Sequence, residues 1–95
     1  MSLRFVWDLQ KAQSNAIKHG ITFYEAASAF RDPLSVTTAD PRHSYGEDRL
    51  VLLGRSDLGR LVVVVHTYQE GRVRLISARG ATRRRERRDY EEGTD

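Results

Sequence analysis

From Leu61 to Val65 five apolar residues run without a polar break, and the pattern continues through His66 and Thr67 to Tyr68. A stretch that is apolar on both faces at its start fits a strand between two neighbours, so it is expected at the centre of a sheet. Glu70-Gly71 then reads as a tight hairpin into a strand beginning at Arg72. There Val73, Leu75 and Ser77 alternate with Arg74, Ile76 and Ala78. Gly80 is expected to break that strand, and Thr82 to cap a helix running to about Tyr90. Upstream, Leu50 to Gly54 supplies a further strand, joined by a turn over Ser56 to Gly59. The three strands form an antiparallel meander.

The N-terminal half is patterned for helices. Leu3 to Trp7 is a short apolar strand, Asp8 an N-cap, and Leu9 to His19 a helix with Ala12, Ala16 and Ile17 inward. Gly20 ends it, with Lys18 and His19 in the last turn, where positive charge complements the helix dipole. Thr22 and Glu25 have the spacing of a capping box. The helix they open runs to about Arg31, with Phe23, Ala26, Ala27 and Phe30 as its core stripe. Asp32-Pro33 closes it, Leu34 to Thr38 is a short strand, and 40–47 is a polar loop containing Pro41, His43 and Gly46. The sum is an α+β fold over residues 1–95, a single domain: a small antiparallel β-sheet with two N-terminal helices and one C-terminal helix. Helices packed on one sheet face leave the other face, or the sheet's end, open to a ligand.

Composition narrows the chemistry. The chain of 95 residues has no cysteine, which removes disulfides, thiolate catalysis and Cys-based zinc sites. His19, His43 and His66 are scattered without paired ligand spacing, so no metal site and no cofactor are expected. No Gly-rich phosphate loop and no serine elbow is present. The Leu61–Val65 run is far too short to span a bilayer, and no signal-like segment follows Met1. A soluble cytoplasmic protein without membrane contact is the expectation.

The formal net charge is +3, and the excess is unevenly placed: Arg83, Arg84, Arg85, Arg87 and Arg88 form a basic run. These arginines sit at the start of a helix, where the dipole favours carboxylates, while Asp89, Glu91 and Glu92 sit at its end. The charges oppose the dipole at both ends, so the run was not placed to stabilise the helix. A helix N-terminus flanked by guanidiniums is an anion site, with phosphate the obvious anion. A solvated helix face accounts for the charge equally well. Arginine outnumbers lysine 14 to 2; its planar fork suits phosphate and bases, and a GC-rich genome gives the same bias.

Acid–base chemistry assisted by cations is what remains. His66, on the central strand, is either a proton-transfer group or a buried histidine satisfied by hydrogen bonds. Arg79, at the strand end, either braces a carboxylate or faces a phosphate. Arg83 and Arg87 share one helix face, Glu86 and Tyr90 another. Glu86 pairs with a neighbouring arginine on the plain reading, and Tyr90 packs its ring under the sheet. Trp7 and Tyr45 are candidate stacking platforms, with Trp7 weighted toward the core.

Taken together, Phe5-Val6-Trp7-Asp8, Asn15, Lys18-His19-Gly20-Ile21, Phe23, Glu25 and Ala26 resemble the N-terminal half of the BrnT toxins. Asp32-Pro33, Glu47, Arg49, Gly54, Gly59-Arg60, Ile76-Ser77-Ala78-Arg79, Ala81, Glu86 and Tyr90 continue the likeness over nearly the whole chain. The resemblance implies a RelE-like endoribonuclease toxin of a type II toxin–antitoxin pair, cleaving RNA without a metal. It implies a BrnA-like antitoxin as partner, with operator DNA bound through that antitoxin. It also implies a catalytic set of Lys18, His66, Arg79, Arg83 and Tyr90, with Arg84, Arg87 and Arg88 holding RNA. On that basis His66 with Tyr90 or Lys18 would move protons, and Arg79 and Arg83 would stabilise the phosphorane. Two other readings stand beside it: a non-enzymatic basic nucleic-acid-binding module, and a degenerate toxin that only partners its antitoxin.

Overall fold

The computed structural model describes residues 3–42 and 48–93. Its strands are β1 (Phe5–Val6), β2 (Val36–Ala39), β3 (Leu50–Arg55), β4 (Leu61–Gln69) and β5 (Arg72–Gly80). Its helices are α1 (Leu9–His19), α2 (Phe23–Ser28) and α3 (Arg84–Glu92), with a 3-10 turn at Ala29–Arg31. The five strands form one sheet in the order β1-β5-β4-β3-β2. The apolar β4 is central as its pattern requires, and β2 through β5 are antiparallel. The expected purely antiparallel sheet is corrected at one edge. β1 lies parallel to β5, Phe5 opposite Val73 and Val6 opposite Arg74, so the sheet is mixed. A parallel pair needs a long crossover, and the chain from α1 to β4 provides it.

The hairpin at Glu70-Gly71 forms with positive φ at both residues, 52° and 78°, as a two-residue loop requires. β5 departs from strict alternation. Val65 pairs with Ser77 but His66 pairs with Leu75, so Ile76 is an extra residue on β5. This is a β-bulge, and it inverts the side-chain parity of the strand beyond it. Val73 and Leu75 are buried beneath the helices, and past the bulge Ala78 joins them in the same cluster. Ser77 and Arg79 turn to the opposite face. Gly80 does not break the strand; it pairs with Val62.

α1 and α2 cover one sheet face. Ile21, Phe23, Ala26 and Ala29 pack on Leu52, Val62, Val64 and Leu75. Asp8 caps α1 by accepting the Lys11 N–H at 3.0 Å, and Gly20 ends it with φ 71°. The inward stripe of α1 is Ala12, Asn15 and Ala16 rather than one including Ile17, which is 88% exposed. Asn15 is buried because its amide acts as a strand partner for the open edge of β5. It accepts the Ala78 N–H at 3.0 Å and donates to the Ala78 carbonyl at 2.8 Å and the Ile21 carbonyl at 2.9 Å. Thr22 caps α2, but Glu25 does not complete the box. Its buried carboxylate turns inward to Ser56, at 2.7 Å, and to Arg60, tying α2 to the β3–β4 turn. Gly54 lets the 3-10 turn lie on β3, since a Cβ there would stand 3.0 Å from the Ala29 carbonyl oxygen and the Ser35 Cβ.

The other sheet face carries a smaller cluster of Leu53, Leu61, Val63 and Ala81, with Val51 and Tyr90 against it. α3 crosses this face. Its N-cap is Arg83 rather than Thr82. A guanidinium has no acceptor, so only half a capping arrangement forms, with Glu86 accepting the Arg83 N–H at 3.4 Å.

Replacing Asn15 by Ala strands the Ala78 N–H and carbonyl in a buried site, and leaving such groups unpaired costs about 1–3 kcal/mol. Urea unfolding of Asn15→Ala is expected to show a loss of that size, whereas Ile17→Ala at the exposed position stays within about 0.5 kcal/mol of the parent.

Candidate active site

The bulge at Ile76 sets the site, because it aims Arg79 away from the helices and onto the open face. There Val63, Val65, Ser77 and Arg79 floor a cavity of about 590 Å³. Arg83 and Glu86 wall it from the start of α3, and Asp40, Pro41 and Arg42 close it beyond β2. His19 reaches it from the end of α1. Asp40 is itself 4% exposed and accepts the Arg42 N–H at 3.0 Å, fixing the turn that leaves β2.

Arg79 is held as a fork. Its Nη1 donates to Glu86 Oε1 at 3.2 Å and its Nη2 to Glu86 Oε2 at 2.5 Å, with a further bond from Nη1 to the Gly80 carbonyl at 3.2 Å. Burial alone would raise the Glu86 carboxyl, but the hydrogen bonds and charge of Arg79, aided by Arg83, hold it below the usual carboxylate range. Glu86 is therefore ionised at neutral pH and fixes the guanidinium plane. The Arg79 side chain keeps about a third of its surface open to the cavity. A rigid, partly exposed guanidinium beside a second one is an arrangement for binding an anionic, phosphate-like group.

A second cavity, of about 330 Å³, lies past the Gly80–Thr82 segment, where Arg55, Arg60 and Arg87 meet Ala81 and Thr82. A third, of about 540 Å³, runs between β2 and α3, with Arg85 and Asp89 on the helix side.

Of the residues expected to act together, Arg79 and Arg83 do meet. Lys18 is exposed on the last turn of α1, beside His19, and is not among the residues lining the main cavity. Arg84, Arg87 and Arg88 are exposed along α3. His66 is not brought to the cavity. It is 0% exposed, on the helix-covered face, with its ring 4.8 Å from Phe30 and 5.8 Å from Tyr68. Its Nδ1 lies 3.2 Å from the Val64 carbonyl, and Nε2 has no partner among the described residues. Burial pushes its pKa down against the opposing effect of that carbonyl.

Tyr90 is likewise committed elsewhere. Its hydroxyl donates to Asp32 Oδ2 at 2.6 Å, and Arg55 lies over its ring at 5.4 Å. The Asp32 bond and burial raise the Tyr90 pKa. Burial alone would raise the Asp32 carboxyl, yet the bonds from Tyr90 and from the Arg55 and Leu34 N–H groups lower it. Tyr90 is the anchor of α3. Trp7 is half-buried, edge-on to Phe23 and Tyr24. Tyr45, His43, Gly46 and Glu47 lie outside the described residues.

His19 is the cavity residue that sequence reasoning left as a dipole partner. Its signal was its place one residue before the helix-ending Gly20, which fixes where the side chain leaves α1. Among the described residues no three His, Cys, Asp or Glu side chains come close enough to hold a metal ion, and no helix is long and apolar enough to cross a membrane.

Residues 7–85 match the family described as "Ribonuclease toxin, BrnT, of type II toxin-antitoxin system". The fold is similar to the crystal structure of the Brucella abortus ribonuclease toxin BrnT, with TM-score 0.65 and 25% sequence identity over 86% of this chain and 100% of that one. No curated protein sequence matches the chain.

His66 gives the protein an acid limit. Its pKa falls on folding, so the native state binds fewer protons than the unfolded chain below the ordinary histidine value of about 6.5. The stability it permits is complete above that value and is lost as pH falls toward and through the depressed folded value. Urea midpoints are expected to drop as pH falls below about 6.5 in the parent, and His66→Leu is expected to flatten that drop.

Proposed function

The chain belongs to the BrnT family of ribonuclease toxins of type II toxin–antitoxin systems, and we propose that it cleaves RNA in the cavity between α3 and the open sheet face. The reaction is attack of a ribose 2′-hydroxyl on the adjacent phosphorus, with release of the 5′-oxygen and no metal in the step. The observation that carries this reading is the pairing of Arg79 with Arg83 at one cavity, Arg79 held in a fixed plane by Glu86. Charge that develops on the phosphorane meets donors already in position, and such preorganisation is the largest single contribution in many enzymes. Arg84, Arg87 and Arg88 add a basic surface along α3 that holds the strand. Lys18, exposed at the end of α1, adds a cation next to His19 in sequence. His66 and Tyr90 brace the fold on this reading, which moves the proton chemistry away from them.

Type II systems pair the toxin with a protein antitoxin. A BrnA-like protein that covers the basic cavity, and that carries the complex to operator DNA, is the partner this reading takes. Kinship with the RelE ribonucleases belongs to the same proposal.

Purified protein free of antitoxin, incubated with labelled RNA in EDTA, is expected to yield fragments ending in 2′,3′-cyclic phosphate. Arg79→Ala is expected to slow cleavage by roughly a hundredfold or more, the scale of losing an oxyanion-type donor. A folded Arg79→Ala protein with full activity would sink the assignment. Intact RNA that shifts on a native gel would favour a binding module instead.

A further inference from the structure

Two cavities flank the Gly80–Thr82 segment, and His19 is the one described residue that lines both. Each has its own arginine from α3. Arg83 faces the first and Arg87 the second. The N-cap Arg83 and Arg87 stand four positions apart, a rise of about 6 Å, which is the scale of one nucleotide step along a strand. A ribose lying between two backbone phosphates therefore has a matching place: one phosphate at Arg79 and Arg83, the other at Arg87, and the sugar at the junction.

We infer that RNA lies across both cavities with the 2′-hydroxyl of the cleaved nucleotide at His19, which takes its proton, and with that nucleotide's own 5′-phosphate at Arg87. This rests on the ribonuclease reading above and supplies the base that His66 is too buried to be. The step balances. The 2′-oxygen forms its bond to phosphorus as its proton passes to the imidazole, and the bond from phosphorus to the 5′-oxygen breaks. The leaving oxygen takes a proton from water, and the hydroxide so formed recovers the proton from the imidazolium. His19 ends the cycle neutral.

The groups facing His19 suit this. On one side stand Asp40, Arg42, Arg79, Arg83 and Glu86, on the other Arg55, Arg60 and Arg87. Arg60 is already engaged by Glu25 and the Gly20 carbonyl, at 3.1 Å for the latter, so it holds the end of α1 rather than the ligand. Arg55 donates Nη1 to the Gly59 carbonyl at 3.0 Å. That leaves Arg87 as the guanidinium of the second cavity without a side-chain hydrogen bond among the described residues.

The test compares a dinucleoside monophosphate with the same molecule carrying a 5′-phosphate, using the parent, His19→Gln and Arg87→Ala. In the parent the 5′-phosphate is expected to lower KM severalfold, and Arg87→Ala is expected to erase most of that advantage. His19→Gln is expected to lower kcat by about a hundredfold or more, the scale of losing a general base, with the rise of the pH–rate profile that the base produces gone and KM little changed. Thermal melts of the variants show whether they are folded, and His19→Asn gives a second folded variant if Gln destabilises. A parent that cleaves while folded His19 variants match its kcat and pH profile overturns the inference alone. An advantage from the 5′-phosphate that survives in Arg87→Ala overturns the second subsite. A parent that leaves these and longer RNA intact overturns the ribonuclease reading, and this inference with it.

Discussion

The structure turns on the register of β5, and that register turns on one extra residue. With strict alternation, Arg79 would fall on the same face as Val73 and Leu75, beneath α1 and α2. A guanidinium placed there without a partner would carry a desolvation cost of several kcal/mol. The bulge at Ile76 removes the conflict by shifting parity, so that a methyl group, Ala78, enters the core and Arg79 leaves it. Asn15 then locks the shifted register. It pairs with both backbone groups of Ala78, the residue just before Arg79, and the same amide holds the Ile21 carbonyl. One side chain thereby fixes the aim of Arg79 and the place where α1 ends. His19, four residues after Asn15, inherits its position from the same contact.

Two arginine–glutamate pairs divide the work of the fold and the site. Glu25, buried, takes Arg60 and Ser56, and joins the start of α2 to the turn between β3 and β4. Its carboxyl is held below the usual range chiefly by the Arg60 hydrogen bond, against the opposing effect of burial. Removing Arg60 would leave the buried Glu25 carboxylate charged in a poorly hydrated place, while Arg60 itself is half-exposed, so the pair specifies a packing more than it adds stability. Arg79 and Glu86 have the same chemistry but sit at the mouth of a cavity, with the Arg79 side chain twice as exposed as that of Glu86, 32% against 16%. There the pair sets a donor plane in advance of a ligand, which is the condition for electrostatic stabilisation without reorganisation.

Much of this was legible from residue pattern. The central strand, the meander, the Glu70-Gly71 hairpin, the Asp8 and Gly20 caps and the core face of α2 follow from periodicity and turn chemistry, which act over a few residues. The misses are non-local. The parallel pairing of β1 with β5 joins residues far apart in sequence, and a two-residue strand has no period to read. The bulge is a slip between two strands, invisible in either one alone; the Ile76-Ser77-Ala78-Arg79 stretch looks like plain alternation. Asn15 stands out in the sequence only as part of the family likeness, because an amide on a helix usually faces water, and its place in the core rests on a partner 63 residues away. His66 and Tyr90 have residue types that suit catalysis. What excludes them from the cavity is which sheet face or anchor holds them, and that depends on the assembled sheet.

α3 shows the same logic in reverse, a local rule broken for the sake of a surface. Its nine residues, RRERRDYEE, are polar all round apart from the Tyr90 ring, and their charges oppose the dipole. A helix this short and this charged has no intrinsic stability in water. It is held at two points, by Glu86 on Arg79 near its start and by Tyr90 on Asp32 near its end. Those two residues are one turn apart and face the sheet, which leaves the arginines to the outer faces and the rims of the cavities. A helix with better local energetics would carry carboxylates beside Glu86 in its first turn, where Arg84 and Arg85 stand. The departure from helix preference is thus concentrated where an anionic ligand gains from it. The cost is met by tertiary contacts that also complete the wall of the site, so folding of α3 and assembly of the cavity are one event.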